Sequence, residues 1–233
     1  MMGHECFFFA GECDWPSDRT HIVHEAHFNW PEMIAINKEL FSGRIRSPRT
    51  SERIESFKRH LKTHVQDFIR TFGLRLLIVE NALSLPMNVP LGLAITEVIA
   101  ETGIPAVAHH HDFAWERDRF SLNAAEDYLR TAFPPVLPSL HHVVINSFGG
   151  RQLALRTGAS SLLIPNVMDF DTPPPALDAY AAELRPALGL KPGQRLLLQP
   201  TRVVPRKRIE RAIELTRYLN TDAVLVVSHD VGD

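Results

Sequence analysis

Cysteine is nearly absent from these 233 residues: Cys6 and Cys13 are the only two. A single closely spaced pair supplies neither a disulfide framework nor a zinc site, and a reducing, cytoplasmic setting is the simplest expectation. Long apolar runs are missing as well. The stretch Cys6 to Ala10 is far shorter than a secretory signal core and has no Lys or Arg before it. No run approaches the ~20 apolar residues that cross a bilayer, so the expectation is a protein neither secreted nor membrane-spanning. An excess of one charge sign is also lacking, with 25 Lys plus Arg against 27 Asp plus Glu, a net charge of -2 and a pI of 6.6. A non-specific polyanion binder carries a global basic surplus; here no nucleic-acid partner is expected, and any anion is bound locally. No internal repeat, low-complexity tract or Gly-x-Gly-x-x-Gly turn appears.

What is present is the balance of an ordinary globular protein, 45% hydrophobic and 22% charged. Short apolar runs alternate with longer amphipathic ones. Cys6 to Ala10, Arg75 to Val79, Ala106 to His109, His142 to Ile145, Ser161 to Ile164, Arg195 to Leu198 and Ala223 to Val227 read as strands. Most are continuous, as in parallel strands buried on both faces. Between them, Ser51 to Phe72 repeats Ile54, Phe57, Leu61, Val65, Phe68 and Phe72 at helical spacing. Further helices fit Val89 to Thr102, Ser147 to Thr157, Leu177 to Leu188 and Lys207 to Leu219, with Gly73, Gly103, Gly158 and Gly189 at their ends. The alternation predicts an α/β, doubly wound architecture.

The proline-rich stretch 165–175 reads as a linker. It separates a first Rossmann-like domain, 1–164, from the beginning of a second, 176–233. The second has two strands and two helices, short of a complete doubly wound domain. The first opens like a helix end running straight into a strand. The expectation is a chain incomplete at both ends, prone to self-association through apolar faces left without cover.

The segment Leu196 to Glu210 has the physics of an anion site. A strand delivers a polar turn, and the following helix is expected to open with Arg206, Lys207 and Arg208. Free N–H groups and the positive dipole end favour phosphate there, while Arg202 forks across two oxygens and Lys207 places a compact charge. Cations at such a start oppose the dipole, which suggests an anionic partner; the alternative is a solvated basic face.

Arg202-Val203-Val204-Pro205-Arg206-Lys207 resembles the Arg-Leu-Val-Pro-Glu-Lys type element of family 4 glycosyltransferases, the retaining enzymes of two-Rossmann-domain (GT-B) type. Pro165-Asn166-Val167-Met168-Asp169-Phe170 is similar to that family's interdomain Pro-Asn-Gly-Val-Asp, without its glycine. Ile104 to Asp112 resembles the strand ending in His-Asp at the cleft, and Gly3-His4-Glu5-Cys6-Phe7 looks like its Gly-His-x-Val. The resemblance implies transfer of a hexose from a nucleoside diphosphate sugar to an acceptor hydroxyl of a small molecule, glycan or lipid, with retained configuration and no metal or other cofactor. It implies Arg202 and Lys207 as ligands of the donor diphosphate, His111 as a catalytic residue facing the transferred sugar, and Asp112 and Asn166 as cleft residues; Glu80 and Asn81 are candidate acceptor residues because they follow a strand's carboxyl end, where open α/β sheets place their ligands. The family's opening glycine loop and its downstream acidic element have no counterpart here, so the chain alone is expected to be inactive.

Other readings attach to the same residues. His109 and His111 share a side of their strand while His110 faces the other way. With Asp112 and Glu116 nearby a metal is conceivable, but contiguous ligands rarely close a site and none is expected. His111 and Asn81 equally suit plain loop or turn-capping roles. The polar face of Ser51 to Arg70 carries Arg53, Lys58, Arg59, Lys62 and Arg70; it allows peripheral membrane contact, or else an ordinary solvated helix face. A non-catalytic nucleotide- or sugar-binding remnant, and a dinucleotide-dependent oxidoreductase, are the competing functions.

Overall fold

The computed structural model describes residues 3–219 and 221–230. The chain divides into two compact units, Met1–Val167 and Met168–Asp233. The first opens with a parallel pair, β1 (Phe8–Ala10) and β2 (Thr20–Ile22), followed by α1 (Pro31–Leu40) and α2 (Pro48–Phe72). A four-stranded, all-parallel sheet follows in the spatial order β3 (Leu77–Glu80), β4 (Ala106–His110), β5 (Leu140–Val144) and β6 (Ser161–Leu163). Its crossovers carry α3 (Val89–Thr102), α4 (Glu126–Ala132) and α5 (Ser147–Thr157).

Helix limits follow from local chemistry. Ser47, Asn88 and Asn146 each cap a helix by accepting from a backbone N–H three residues on. Gly73, Gly103 and Gly158 close the same helices in the left-handed conformation, where a glycine has no Cβ to clash. In α2, Ile54, Leu61, Val65 and Phe68 are buried, the stripe that the spacing predicts. Val65 meets Ile95, Val98 and Ile99 of α3 and Leu77, Val79, Ala106 and Ala108 of the sheet in the main core.

That core corrects one expectation. The outer strands β3 and β6 are not buried on both faces: Leu77, Val79, Ala106, Ala108 and His110 point into the core, whereas Ile78 and Leu162 remain 64% and 63% exposed; on β5, by contrast, His142, Val143 and Val144 are all buried. The reason is that α2 and α3 pack one face of β3 and β4, and apolar content alone does not say which strand face a helix covers. The sequence reading also passes over β2, α1 and α4. β2 is three residues around a histidine, with no apolar run to betray it.

The second unit contains one parallel pair, β7 (Arg195–Gln199) and β8 (Ala223–Val227), with α6 (Ala179–Ala187) and α7 (Ile209–Tyr218). Residues 164–178 form neither helix nor strand, and no described residue from 168 to 230 is fully buried. Here the expected helix at Lys207 needs correcting. Pro205–Lys207 is a single 3₁₀ turn, Arg208 is left-handed with φ 53°, and the α-helix starts only at Ile209.

Alternation along β4 drives His110 inward, where 1% of it is exposed. Its Nε2 lies 2.9 Å from His142 Nδ1 on β5. Burial, then the neighbouring His142 and His109, push the His110 imidazole down to about 3 from its ordinary 6.5. Burial lowers His142 too. Both rings are therefore neutral in the folded protein at neutral pH, one donating to the other. A histidine depressed by folding binds its proton more readily in the unfolded chain, so its contribution to stability falls as pH drops from about 6.5 toward 3. We expect the thermal midpoint to decrease between pH 7 and pH 4, and to decrease less in the His110→Phe/His142→Phe double variant; parallel pH profiles would refute the assignment.

Candidate functional site

Each unit carries a polar centre built from residues that the sequence singles out. In the first it lies at the carboxyl ends of β3 and β4, the place where open α/β sheets put their ligands. The parallel register sets Glu80 beside His109, so their side chains share a face. The Glu80 carboxylate oxygens lie 3.1 and 2.9 Å from His109 Nδ1. His111 lies two residues on and on the same side, with its ring 4.7 Å from that of His109 and its Nε2 3.7 Å from Glu80 Oε2.

Asn81 holds this corner. It has a φ of 55°, uncommon for a residue with a side chain, and there its backbone N–H donates to His109 O at 3.0 Å. Its Oδ1 accepts from the His111 N–H at 2.8 Å. Its backbone carbonyl also accepts from Ser84 Oγ at 3.1 Å. The side-chain oxygen of Asn81 is thus committed to positioning His111.

The remaining residues singled out in the first unit separate from this centre in different ways. Asp112 is ion-paired with Arg117, both half-buried. Glu116 accepts from the Phe113 N–H at 2.9 Å. The carboxylate that joins the two histidines is therefore Glu80, 29 residues earlier in the chain, and neither Asp112 nor Glu116. Asn166 is exposed in the irregular segment. Beyond Asp112, Trp115 is stacked between Phe113, at 4.4 Å, and the Arg156 guanidinium, at 5.1 Å. It borders an open groove of about 830 Å³ that includes Arg117, Arg130 and Arg156.

In the second unit, Arg202, Arg206 and Lys207 line a shallow depression of about 330 Å³ with Pro200, Thr201 and His229. The strand β7 ends at its edge, and the Gln199 Nε2 amide donates to Lys207 O at 2.9 Å, fixing the turn that carries the cations. Among the described residues, none of the three cations has a carboxylate partner. Thr201 Oγ1 is buried there with no hydrogen-bond partner among the described residues. An exposed cluster of one sign with no internal counterion is a surface for a small anion.

The basic face of α2 is different. Lys58 pairs with Glu55 and Glu97, each at 2.7 Å, Lys62 with Glu97 and Glu101, and Arg70 with Asp67. These cations are largely neutralised within the unit. No helix among the described residues is long and apolar enough to cross a membrane.

No established family profile matches the chain. Two curated proteins do. The chain is 34% identical over 172 residues to the mannosylglucosylglycerate synthase of Petrotoga mobilis, which covers 71% of this chain and 40% of that protein. It is 32% identical over 224 residues to the mannosylglucosylglycerate synthase of Thermotoga maritima, covering 94% of this chain and 50% of that one. The chain thus spans about half the length, or less, of the curated relatives it matches.

The Asn81 corner makes a direct prediction. Asn81→Ala forces a Cβ-bearing residue without a local hydrogen bond into the left-handed region and removes the acceptor of the His111 N–H. We expect a loss of about 1–2 kcal/mol in urea unfolding. Asn81→Gly, which keeps the backbone conformation, should lose less. Equal losses would show that the backbone conformation carries none of the cost.

Proposed function

We propose that this chain is part of a glycosyltransferase that moves a hexose from a nucleoside diphosphate sugar to an acceptor hydroxyl with retention of configuration. The observation that carries this reading is the 32% identity with a mannosylglucosylglycerate synthase along 94% of the chain. The name of that relative describes a mannosyl group joined to a glucosylglycerate. By extension, the donor proposed here is a nucleoside diphosphate mannose and the acceptor a glucosylglycerate, a sugar with a carboxylate.

The chemistry assigned to the residues follows from charge. When the glycosidic bond to the donor breaks, negative charge builds on a phosphate oxygen. Arg202 and Lys207, exposed and without a carboxylate partner among the described residues, stabilise it as cations. Arg202 offers two N–H groups in a plane and Lys207 a mobile point charge. Glu80, His109 and His111 offer acceptors and donors that match sugar hydroxyls. On the diphosphate side no metal is required by this scheme.

The competing reading, a nucleotide-binding remnant without turnover, separates from it in one experiment. Titration calorimetry with nucleoside diphosphates should show binding to the chain, weakened at least tenfold, or about 1.4 kcal/mol, by Arg202→Ala and by Lys207→Ala. Incubation with nucleoside diphosphate mannose and glucosylglycerate should give a disaccharide glycerate, and the same substitutions should reduce turnover at least tenfold. Unchanged affinity and rate in both variants would sink the assignment of the basic turn, and binding without product would favour the remnant.

A further inference from the structure

We propose that Glu80, His109 and His111 form a binding site for a divalent transition-metal cation. One ligand atom from each of the three residues falls within 4.8 Å of the other two, the one set of this kind among the described residues. A metal bound at about 2.0–2.2 Å by imidazole and carboxylate holds its ligand atoms roughly 3.0–3.5 Å apart. The remaining gap is of the size that rotation about the side-chain bonds of Glu80, His109 and His111 spans.

The spacing separates a metal site from a simple hydrogen-bonded cluster. The contact between Glu80 and His109, at 2.9 Å, is explained by a hydrogen bond. The separation of 3.7 Å between His111 Nε2 and the same carboxylate oxygen is not, because it is beyond hydrogen-bonding reach. It exceeds the spacing of ligand atoms around one ion by only a few tenths of an ångström. The backbone is arranged to present this set: parallel register places Glu80 and His109 side by side, and Asn81 clamps the His111 N–H at 2.8 Å. Asn81 thereby fixes the backbone from which the His111 side chain projects.

The donor set names the class of ion. Two imidazoles with one carboxylate suit Zn²⁺, Fe²⁺ or Mn²⁺ and leave positions open, whereas Ca²⁺ and Mg²⁺ prefer oxygen ligands throughout. One carboxylate leaves a bound dication with a net positive charge. The side chains of His109, His111 and Glu80 are 24%, 40% and 58% exposed, so ions enter and the open positions face solvent. Those positions would take a hydroxyl, carboxylate or phosphate oxygen.

A second histidine group serves as the internal control. His21 Nε2 lies 3.2 Å from His64 Nδ1, and His60 lies 3.7 Å from Glu25. These contacts are pairwise and bring no three ligand atoms into one sphere. These are the residues assigned above to sugar hydroxyls, and the readouts of ion binding, metal content and ring resonances, are independent of turnover.

The chelator-treated 233-residue chain is dialysed against Zn²⁺, and separately Mn²⁺, and its metal content is measured. We expect close to one equivalent of Zn²⁺, at least tenfold weaker binding in Glu80→Gln and in His109→Gln, and unchanged binding in His64→Gln. Substoichiometric Mn²⁺ should broaden the His109 and His111 ring resonances before those of His21, His60 and His64, a readout that needs no variant. Absence of a stoichiometric ion, an equivalent that survives both Glu80→Gln and His109→Gln, its loss in His64→Gln, or first broadening at the His21 group would each overturn the proposal.

Discussion

The parallel register of β3 against β4 is the constraint from which the first unit's chemistry follows. It places Leu77 beside Ala106 and Glu80 beside His109. Because side chains alternate along a strand, aiming Ala106 and Ala108 at the helices that cover the sheet also aims His110 there. His109 and His111 then have only the other side. A slip of one residue would put the two outward histidines, His109 and His111, into the core and the buried His110 outside. The polar centre and the buried histidine pair are two faces of one strand.

This has an energetic consequence. His110 is tolerated in the core because His142, on the adjacent strand, supplies a partner at 2.9 Å, so that one ring nitrogen of each is satisfied while both remain neutral. His110 Nδ1 stays buried without a partner among the described residues. An unpaired buried polar atom costs on the order of 1–3 kcal/mol. The His110 ring lies 4.9 Å from that of Phe113, and apolar packing in the unit's main core offsets that cost. The run of three histidines is thus accommodated at some expense to stability, and the two outward ones gain a rigid strand to stand on.

How much of this was legible in the sequence depends on the range of the interaction involved. Helix ends were readable because Gly73, Gly103 and Gly158 act through their own backbone. The α2 stripe was readable because Ile54, Leu61, Val65 and Phe68 repeat with the helix period. The opposed directions of His109 and His110 came from strand alternation alone. What the sequence concealed was the carboxylate partner of the histidines. Asp112 and Glu116 stand near them in the chain but bind Arg117 and the Phe113 N–H. Glu80 arrives through strand pairing across 29 residues, and no local pattern reports that. The helix α1 was available, since Met33, Ile36 and Leu40 recur at spacings of three and four, yet its ten residues are less conspicuous than the 25 of α2.

The basic turn of the second unit illustrates the same limit from the side of electrostatics. Three cations in the first turn of an α-helix would oppose its dipole. The fold avoids that arrangement: Pro205 starts a separate 3₁₀ turn, and left-handed Arg208 breaks the chain direction before α7 begins at Ile209. The acidic residue in the opening turn of α7 is then Glu210, the sign the dipole favours. Arg206 and Lys207 are freed from the helix and turned with Arg202 toward one depression. Their mutual repulsion has no internal carboxylate to relieve it among the described residues. A bound anion would lower the energy of the turn as well as filling the depression, and that coupling is the physical reason to look for a diphosphate there before anywhere else in the second unit.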